Sequence, residues 1–469
     1  MPSKEGDAMI LTKDKSFYRS LVLLAIPIAL QNLITFAVTL ADNVMVGTLG
    51  DAAISGVYIG SQIQTLLQIY TAGIEGAILI IAAQYWGKRD TDTIKRVIAI
   101  GMRTAFFSAV VITLACLLFP RPILTLFADD STVLTLGTEY LRITALAFIF
   151  FCLTQGLISA MRSVEKARIG MTVSLVSLVV NVSLNYILIF GKLGFAPMGV
   201  RGAAIATLIS RIAEFVTTVI YVFFIDKRLA LSPKDLLSRD RAIRRDFFKY
   251  GLPIMGGQLV WAVNTFSYSA IMGKLDYDGV IAALSVAGTL NSLSYVVMNG
   301  MSGAVGIITG KTIGGGHTEK IREYAYTVQI IFLALGFLTG GCLQLLRDPF
   351  ISLYDISPAA VYQSRCLINV LSVTIIGTCY QAACLFGLVK SGGDVSFVMK
   401  NDMIHVFLIM LPAALITSHL GLAPWIVFLC LKSDQILKCF VAVVKINRFK
   451  WMKNLTKTKE KAEISVENA

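Results

Sequence analysis

The sequence predicts an all-α membrane protein: twelve transmembrane helices in two six-helix bundles, related by a pseudo-two-fold axis along the membrane normal. Three observations lead there. The 469 residues are 56% apolar and only 15% charged, with a mean hydropathy of +0.72, where soluble domains carry roughly 45–50% apolar and about 25% charged residues. Apolar runs of spanning length, roughly 20 residues, recur along the whole chain. The second half of the chain repeats the first. This composition excludes an ordinary soluble enzyme and a disordered chain. The eight cysteines form no CxxC pair and read as free buried thiols rather than a disulfide scaffold.

The runs cover residues 19–43, 54–83, 97–119, 133–160, 168–190, 199–225, 249–273, 280–310, 324–346, 359–388, 399–418 and 423–446. The first follows a charged N-terminus (Lys4, Glu5, Asp7, Lys13, Asp14, Lys15) and is long enough to span, so it reads as a helix and not as a cleavable signal. The expected organisation is a cytoplasmic N-terminus (1–18), an N-terminal bundle (19–226), a basic linker (227–248), a C-terminal bundle (249–446) and a cytoplasmic tail (447–469).

Orientation follows from charge. One set of loops is basic: Lys88, Arg89, Lys95 and Arg96; Arg162, Lys166 and Arg168; Lys311, Lys320 and Arg322; Lys390 and Lys400. The central loop and the tail are more basic still, the tail ending in Lys457, Lys459 and Lys461. The other set holds only Arg121, Lys192, Arg201, Lys274 and Arg347. By the positive-inside rule both termini and the central loop are cytoplasmic. The formal charge of +13 is thereby explained without nucleic acid.

A shift of 226 places Pro27 on Pro253 and Gly47 on Gly273. A shift of 227 places Gly73 on Gly300, Gly76 on Gly303 and Gly87 on Gly314. Each half has an even number of spans, so both enter the membrane in the same direction and form a parallel repeat with a cavity expected between the bundles. Gly73, Gly76, Gly300 and Gly303 read as close-packing positions. Gly87 and Gly314 read as helix stops.

Ionisable side chains within spans are costly and mark functional positions. Asp42 closes span one, in the outer half. Asn181 and Asn185 lie late in span five, four residues apart and so on one helix face. Thr207 lies early in span six, at a similar depth. One carboxylate, two amide oxygens and a hydroxyl make a hard-oxygen set suited to a small cation. Without a cation, a buried Asp takes up a proton, because burial disfavours the charged form. Pro27 permits a bend in span one, or fixes a static kink. Arg211 and Glu214, three apart, read as a local ion pair. Glu75 lines an inner vestibule or meets Lys95 or Arg96. In span twelve Asp434 pairs with Lys438 at i+4, or with Arg365 from span ten, or, if only partly neutralised, serves a cationic ligand. Tyr58, Tyr70, Trp261, Tyr268, Tyr295 and Met298 are candidates for a cavity that binds flat cations.

Several stretches are similar to the multidrug and toxic compound extrusion (MATE) family. Ile26-Pro27 through Asp42-Asn43-Val44-Met45-Val46-Gly47 resembles its first span and loop, and Gly73 through Ala83-Gln84-Tyr85-Trp86-Gly87 its second. Tyr250-Gly251-Leu252-Pro253 fits the opening of its second half. Asn181 to Gly191, with Gly199-Val200-Arg201-Gly202-Ala203-Ala204 and Ala206-Thr207, resembles its spans five and six. The likeness extends to Trp451-Met452-Lys453-Asn454. It implies a plasma-membrane (inner-membrane) antiporter, not an enzyme, that exports organic cations or amphiphiles by alternating access. It implies no cofactor beyond an H⁺ or Na⁺ gradient, no nucleic-acid partner, contact with membrane lipid, and a monomer. It also implies that Asp42, Asn181, Asn185 and Thr207 form the cation site of the N-terminal bundle. Relatives often carry Asp where Asn185 stands; the amide disfavours Na⁺ and favours proton coupling. Span seven (255–272) and span ten carry no carboxylate, Thr378 standing near the expected place, so the pattern is closer to the branch with a single carboxylate in the N-terminal bundle. The resemblance further implies that bending of span one at Pro27 accompanies protonation. A lipid-linked saccharide flippase of the same superfamily is the near alternative; a membrane-embedded enzyme, with His317, His405 and His419 scattered, is the distant one.

Overall fold

The structure is a computed structural model and describes residues 11–275, 277–354 and 356–456. Lys4, Glu5, Asp7, Lys457, Lys459 and Lys461 lie outside the described residues. Among these the fold is helical throughout: α1 (Lys15–Gly47), α2 (Asp51–Gly87), α3 (Thr91–Leu118), the short α4 (Pro120–Leu124), α5 (Ser131–Ser163), α6 (Arg168–Phe190) and α7 (Gly199–Ile220). Then follow α8 (Arg241–Gly273), α9 (Val280–Gly314), α10 (Thr318–Ile351), α11 (Pro358–Gln381), α12 (Val395–Met403), α13 (Leu411–His419) and α14 (Pro424–Asn447). Wide π-helical turns extend α11 through Ala382–Lys390 and join α12 to α13 through Ile404–Met410.

Ten of the helical segments are long and apolar enough to cross a membrane, where the sequence reading counts twelve. The two that fall short are α8 and α14, which coincide with the expected seventh and twelfth spans. The reason is polar content: Gln258, Asn264 and several hydroxyls in α8, and Lys432, Asp434, Lys438 and Lys445 in α14.

The helices outrun the apolar runs because their ends are capped by polar groups in water. Asp14 accepts the Ser16 N–H (2.9 Å), starting α1 four residues early. Asp130 accepts the Thr132 and Val133 N–H groups ahead of α5. Asp240 accepts those of Ala242 and Ile243 (2.9 and 3.0 Å), so α8 begins eight residues before its apolar run. Carboxylates at these N-termini satisfy free N–H groups and meet the positive end of the helix dipole. Hydropathy reports only the apolar portion between such ends.

Two compact units make up the chain. The N-unit comprises Pro27–Ala82 and Thr91–Gln258, the C-unit Met1–Ile26, Ala83–Asp90 and Leu259–Ala469. Helix α1 thus passes from the C-unit to the N-unit at Pro27, and α8 passes the other way at Leu259. In the N-unit α5 packs on α3 and α7, and α7 on α6. In the C-unit α11 packs on α9, α10 and α14, around a core that includes Leu367, Phe428 and Met410. The basic linker is tied to α3 of the N-unit by Lys95–Asp235 (3.2 Å), Arg96–Asp240 (3.0 Å) and Arg103 to the Ser238 carbonyl (2.5 Å).

Gly87 and Gly314 do end α2 and α9, but neither adopts the left-handed conformation of a helix cap. They are needed for contact. A Cβ on Gly87 would lie 1.9 Å from the Lys311 carbonyl oxygen, and one on Gly314 would lie 1.8 Å from that of Gln84. The ends of α2 and α9 press backbone to backbone inside the C-unit. The cysteines are free. The expectation that all are buried fails for Cys342, which is exposed on α10, and for Cys366, Cys430 and Cys439, which are half-buried, because an apolar run does not tell an inward helix face from an outward one.

After α14 the chain folds back. Trp451 is fully buried, its indole N–H donating to the Ile446 carbonyl (3.0 Å). The Leu455 N–H donates to Gln84 Oε1 (2.7 Å). Asp394, just before α12, receives Lys445 and Lys453, both at 2.7 Å. Burial opposes ionisation of Asp394, but the two ammoniums outweigh it and hold the carboxyl below its usual range. A depressed carboxyl stabilises the fold above its unfolded pKa and loses that contribution as pH falls through the folded value. The melting temperature of Asp394→Asn should lie below that of the wild type at neutral pH, and the gap should close as pH falls below about 4. A gap that persists unchanged at low pH contradicts the assignment.

Candidate cation-coupling site

Four helices of the N-unit converge on Asp42. It lies five residues before the end of α1, roughly 7–8 Å at 1.5 Å per residue, and is half-buried. Asn181 and Asn185 project from one face of α6 and are fully buried, and Thr207 is buried on α7. The Asn185 amide donates to Asp42 Oδ1 at 2.5 Å and to Asn181 Oδ1 at 3.1 Å. Thr207 donates to the Ala203 carbonyl (3.0 Å), which leaves its lone pairs free to accept. The structure therefore brings together the carboxylate and both amides, with Thr207 on the adjacent helix.

Buried polar atoms normally find partners, and one here does not. Asn185 Oδ1 has no hydrogen-bond partner among the described residues. The amide spends both its contacts through nitrogen and leaves its oxygen idle. That nitrogen, a donor and not a cation ligand, lies between the Asp42 and Asn181 oxygens.

Two residues complete the cluster. Tyr140 of α5, buried, lies in hydrogen-bonding reach of Thr207 and feels the Asp42 charge. The sequence reading missed it, since nothing local separates it from the other 15 of 16 tyrosines. Arg211 of α7 donates to both oxygens of Glu214 at 2.9 Å, lies over the Phe151 ring at 5.0 Å, and also faces Asp42. The expected Arg211–Glu214 pair is present and borders the site. Counted as ions, Asp42, Glu214 and Arg211 sum to −1, so one monovalent cation or one proton brings the cluster to neutrality.

The remaining candidates are dispersed. Pro27 is buried inside an unbroken α1. Glu75 meets neither Lys95 nor Arg96, which are taken by the linker; the charge facing it is Arg162, whose guanidinium donates to Gln31 (2.7 Å). Tyr58 is exposed and Tyr70 half-buried in the N-unit. In the C-unit Trp261 is exposed, Tyr268 and Tyr295 are half-buried, and Met298 sits in the packed core. Arg365 reaches Asp348 (2.9 Å) and not Asp434. Asp434 pairs with Lys438 at 2.9 Å, as the i+4 spacing suggests, and Lys438 also bonds Asp402 of α12 at 2.9 Å. Asp402 was not singled out in the sequence because it follows Lys400 at an apparent span boundary. A cleft of about 640 Å³ in the N-unit, lined by Leu49, Leu136, Glu139, Met198 and Arg201 among others, contains none of these candidates.

The fold and site define a multi-pass helical membrane protein with a charged polar cluster set within one unit. The MatE family model matches residues 27–187 and 253–416, more than half of the chain, and the chain belongs to that family. The two matched stretches begin 226 residues apart (253 − 27), the same shift that aligns Pro27 with Pro253. Among curated relatives, the probable multidrug resistance protein NorM of Bacillus anthracis is 27% identical over 72% of this chain and 74% of its own length. NorM of Listeria monocytogenes serotype 4b is 24% identical over 90% and 92%. Among solved structures, a MATE in complex with MaL6 superposes with a TM-score of 0.84 at 20% identity, covering 94% of this chain and 99% of the other. At that identity the structural likeness establishes the fold.

The Arg211–Glu214 pair gives a stability prediction. Glu214→Gln removes the carboxylate that receives both Arg211 contacts and should lower the melting temperature in detergent clearly, though by less than the about 3–5 kcal/mol of an unpartnered buried charge, because Asp42 still faces Arg211. Arg201→Gln, which breaks an exposed pair with Glu139, should leave the melting temperature nearly unchanged. Equal effects would contradict the burial argument.

Proposed function

We propose that the protein is a proton-coupled antiporter of the plasma membrane that exports organic cations or amphiphilic small molecules, with both termini cytoplasmic and twelve spans. The observation that carries the coupling ion is the Asp42–Asn185 contact. With Asp42 ionised, the amide donates N–H to the carboxylate. With Asp42 protonated, rotation of the Asn185 amide presents its idle Oδ1 to the new O–H. Asn181 then turns with it. One side chain serves both protonation states without metal ligation, which an Asp at position 185 would not do.

The charge count supports the same reading. A cluster at −1 is poorly tolerated in a low-dielectric span, and uptake of one H⁺ neutralises it. Antiport requires that proton and substrate favour different conformations. Protonation removes the charge that holds the Asn185 N–H, so the contact between α1 and α6 is rewritten with each cycle. Pro27, which leaves α1 one backbone hydrogen bond short, places a weak point on the same helix. The relatives named as multidrug resistance proteins support the substrate class. The flippase alternative is not favoured by these likenesses.

The test is efflux of a fluorescent organic cation from proteoliposomes, with a pH gradient and a Na⁺ gradient imposed separately. The pH gradient should drive efflux in wild type and fail to do so in Asp42→Asn. Asn185→Asp, which adds a second carboxylate, should gain Na⁺-driven efflux. Wild-type efflux driven by Na⁺ and indifferent to pH would overturn proton coupling.

A further inference from the structure

Glu75 is a carboxylate of the N-unit that the Asp42 site does not use. It is half-buried on α2, and among the described residues its side chain makes no hydrogen bond or ion pair. Ser159 of α5 donates to the Glu75 backbone carbonyl at 2.7 Å. Arg162, three residues further along the same face of α5, faces the Glu75 charge. The other titratable group that faces it is Cys152 of α5, buried and in contact with the Thr71 hydroxyl at 3.3 Å. Toward α3 and α8 the neighbouring contacts of α2 are apolar: Ile78 lies against Gly101, and Gly73 and Ala77 lie against Met255 and Gly251.

Arg162 faces this carboxylate and yet is bonded elsewhere. Its Nη2 donates to Gln31 Oε1 of α1 at 2.7 Å, and its Nε is buried without a partner. Gln31 is buried one turn beyond Pro27. A Cβ on Gly170 of α6 would lie 1.9 Å from Gln31 Oε1, so the amide fits there against glycine alone. A guanidinium and an ionised carboxylate form a charge-assisted, often bidentate pair, stronger than one bond to a neutral amide. The arrangement seen, with Arg162 on Gln31 and its Nε idle, is the one that a neutral Glu75 leaves in place.

We infer that Glu75, Arg162 and Gln31 form a second proton-binding site in the N-unit, separate from Asp42, whose occupancy decides which helix Arg162 holds. With a proton on Glu75, Arg162 stays on Gln31 and pins α1 one turn beyond Pro27. When the proton leaves, the carboxylate takes the guanidinium, the idle Nε serving as a second donor, and Gln31 is released. Arg162 keeps its charge throughout. Pro27 already leaves α1 one backbone hydrogen bond short, so the released turn adjoins the weak point of that helix. Arg162 is the last residue but one of α5; in the orientation proposed above this end faces the cytoplasm, and the site reads cytoplasmic pH. Its proton is not the one that Asp42 exchanges, and the inference does not depend on the transported molecule.

The experiment follows hydrogen–deuterium exchange of residues 28–35 of α1 in the purified full-length protein. It compares about pH 5 with about pH 8.5, which bracket the titration of a half-buried carboxyl, after correction for the intrinsic rise of amide exchange with pH. Wild type should lose about tenfold or more of its protection at the higher pH. Glu75→Gln, fixed in the neutral form, should keep the low-pH protection at both. Arg162→Gln should be weakly protected at both, and Asp42→Asn should respond as wild type does. A wild-type profile that is flat in pH overturns the site. So does a pH response that survives in Glu75→Gln or, should that variant fail to fold, in Arg162→Gln. A response lost in Asp42→Asn but kept in Glu75→Gln assigns it to Asp42, which overturns this site and leaves the exporter reading intact.

Discussion

A carboxylate in the apolar part of a membrane must be neutralised, hydrogen-bonded or both, and Asp42 meets that constraint through Asn185. The 2.5 Å contact ties α1 to α6, and Asn185 in turn is bonded to Asn181 one turn away. Everything polar nearby is arranged around the same charge. Thr207 and Tyr140 bring hydroxyls from two further helices, and Arg211 is held at the border by Glu214. Uncoupling the Asp42–Asn185 pair breaks the contact between α1 and α6 and alters the charge that Tyr140 of α5 and Arg211 of α7 face.

The two units handle buried charge differently. In the N-unit the cluster keeps one negative charge in excess and one idle amide oxygen. In the C-unit Lys438 closes Asp402 and Asp434 into an internal network, while Lys432 lies against the Tyr268 and Phe428 rings and faces the Asp434 charge. The internal repeat, which aligns Pro27 with Pro253, does not extend to these polar groups. Duplicated packing thus carries diverged chemistry in the two units.

Much of this was legible in the sequence because it rests on local rules. Apolar runs located the helices, and the i, i+4 spacing of Asn181 and Asn185 put them on one face. The Asp434–Lys438 pair followed from the same rule. What was not legible depends on partners far apart in the chain. Tyr140 is one apolar-looking residue in a long span until α5 is laid against α7. Asp402 reads as interfacial until α12 brings it to Lys438. Arg162 reads as a loop cation until Gln31 and Glu75 are placed beside it. Gly87 and Gly314 look like helix stops, and only the packing of α2 on α9 shows that a side chain would collide with backbone. The helix ends ran past the apolar runs because Asp14, Asp130 and Asp240 extend them into water.

The central claim is that Asp42 carries the exchanged proton. It is tested most directly by proton release from the purified protein in weakly buffered detergent when a permanently charged organic cation is added. The account predicts release in stoichiometric proportion to binding in wild type, and cation binding without release in Asp42→Asn. Equal release by both proteins would place the titrating group elsewhere and contradict it.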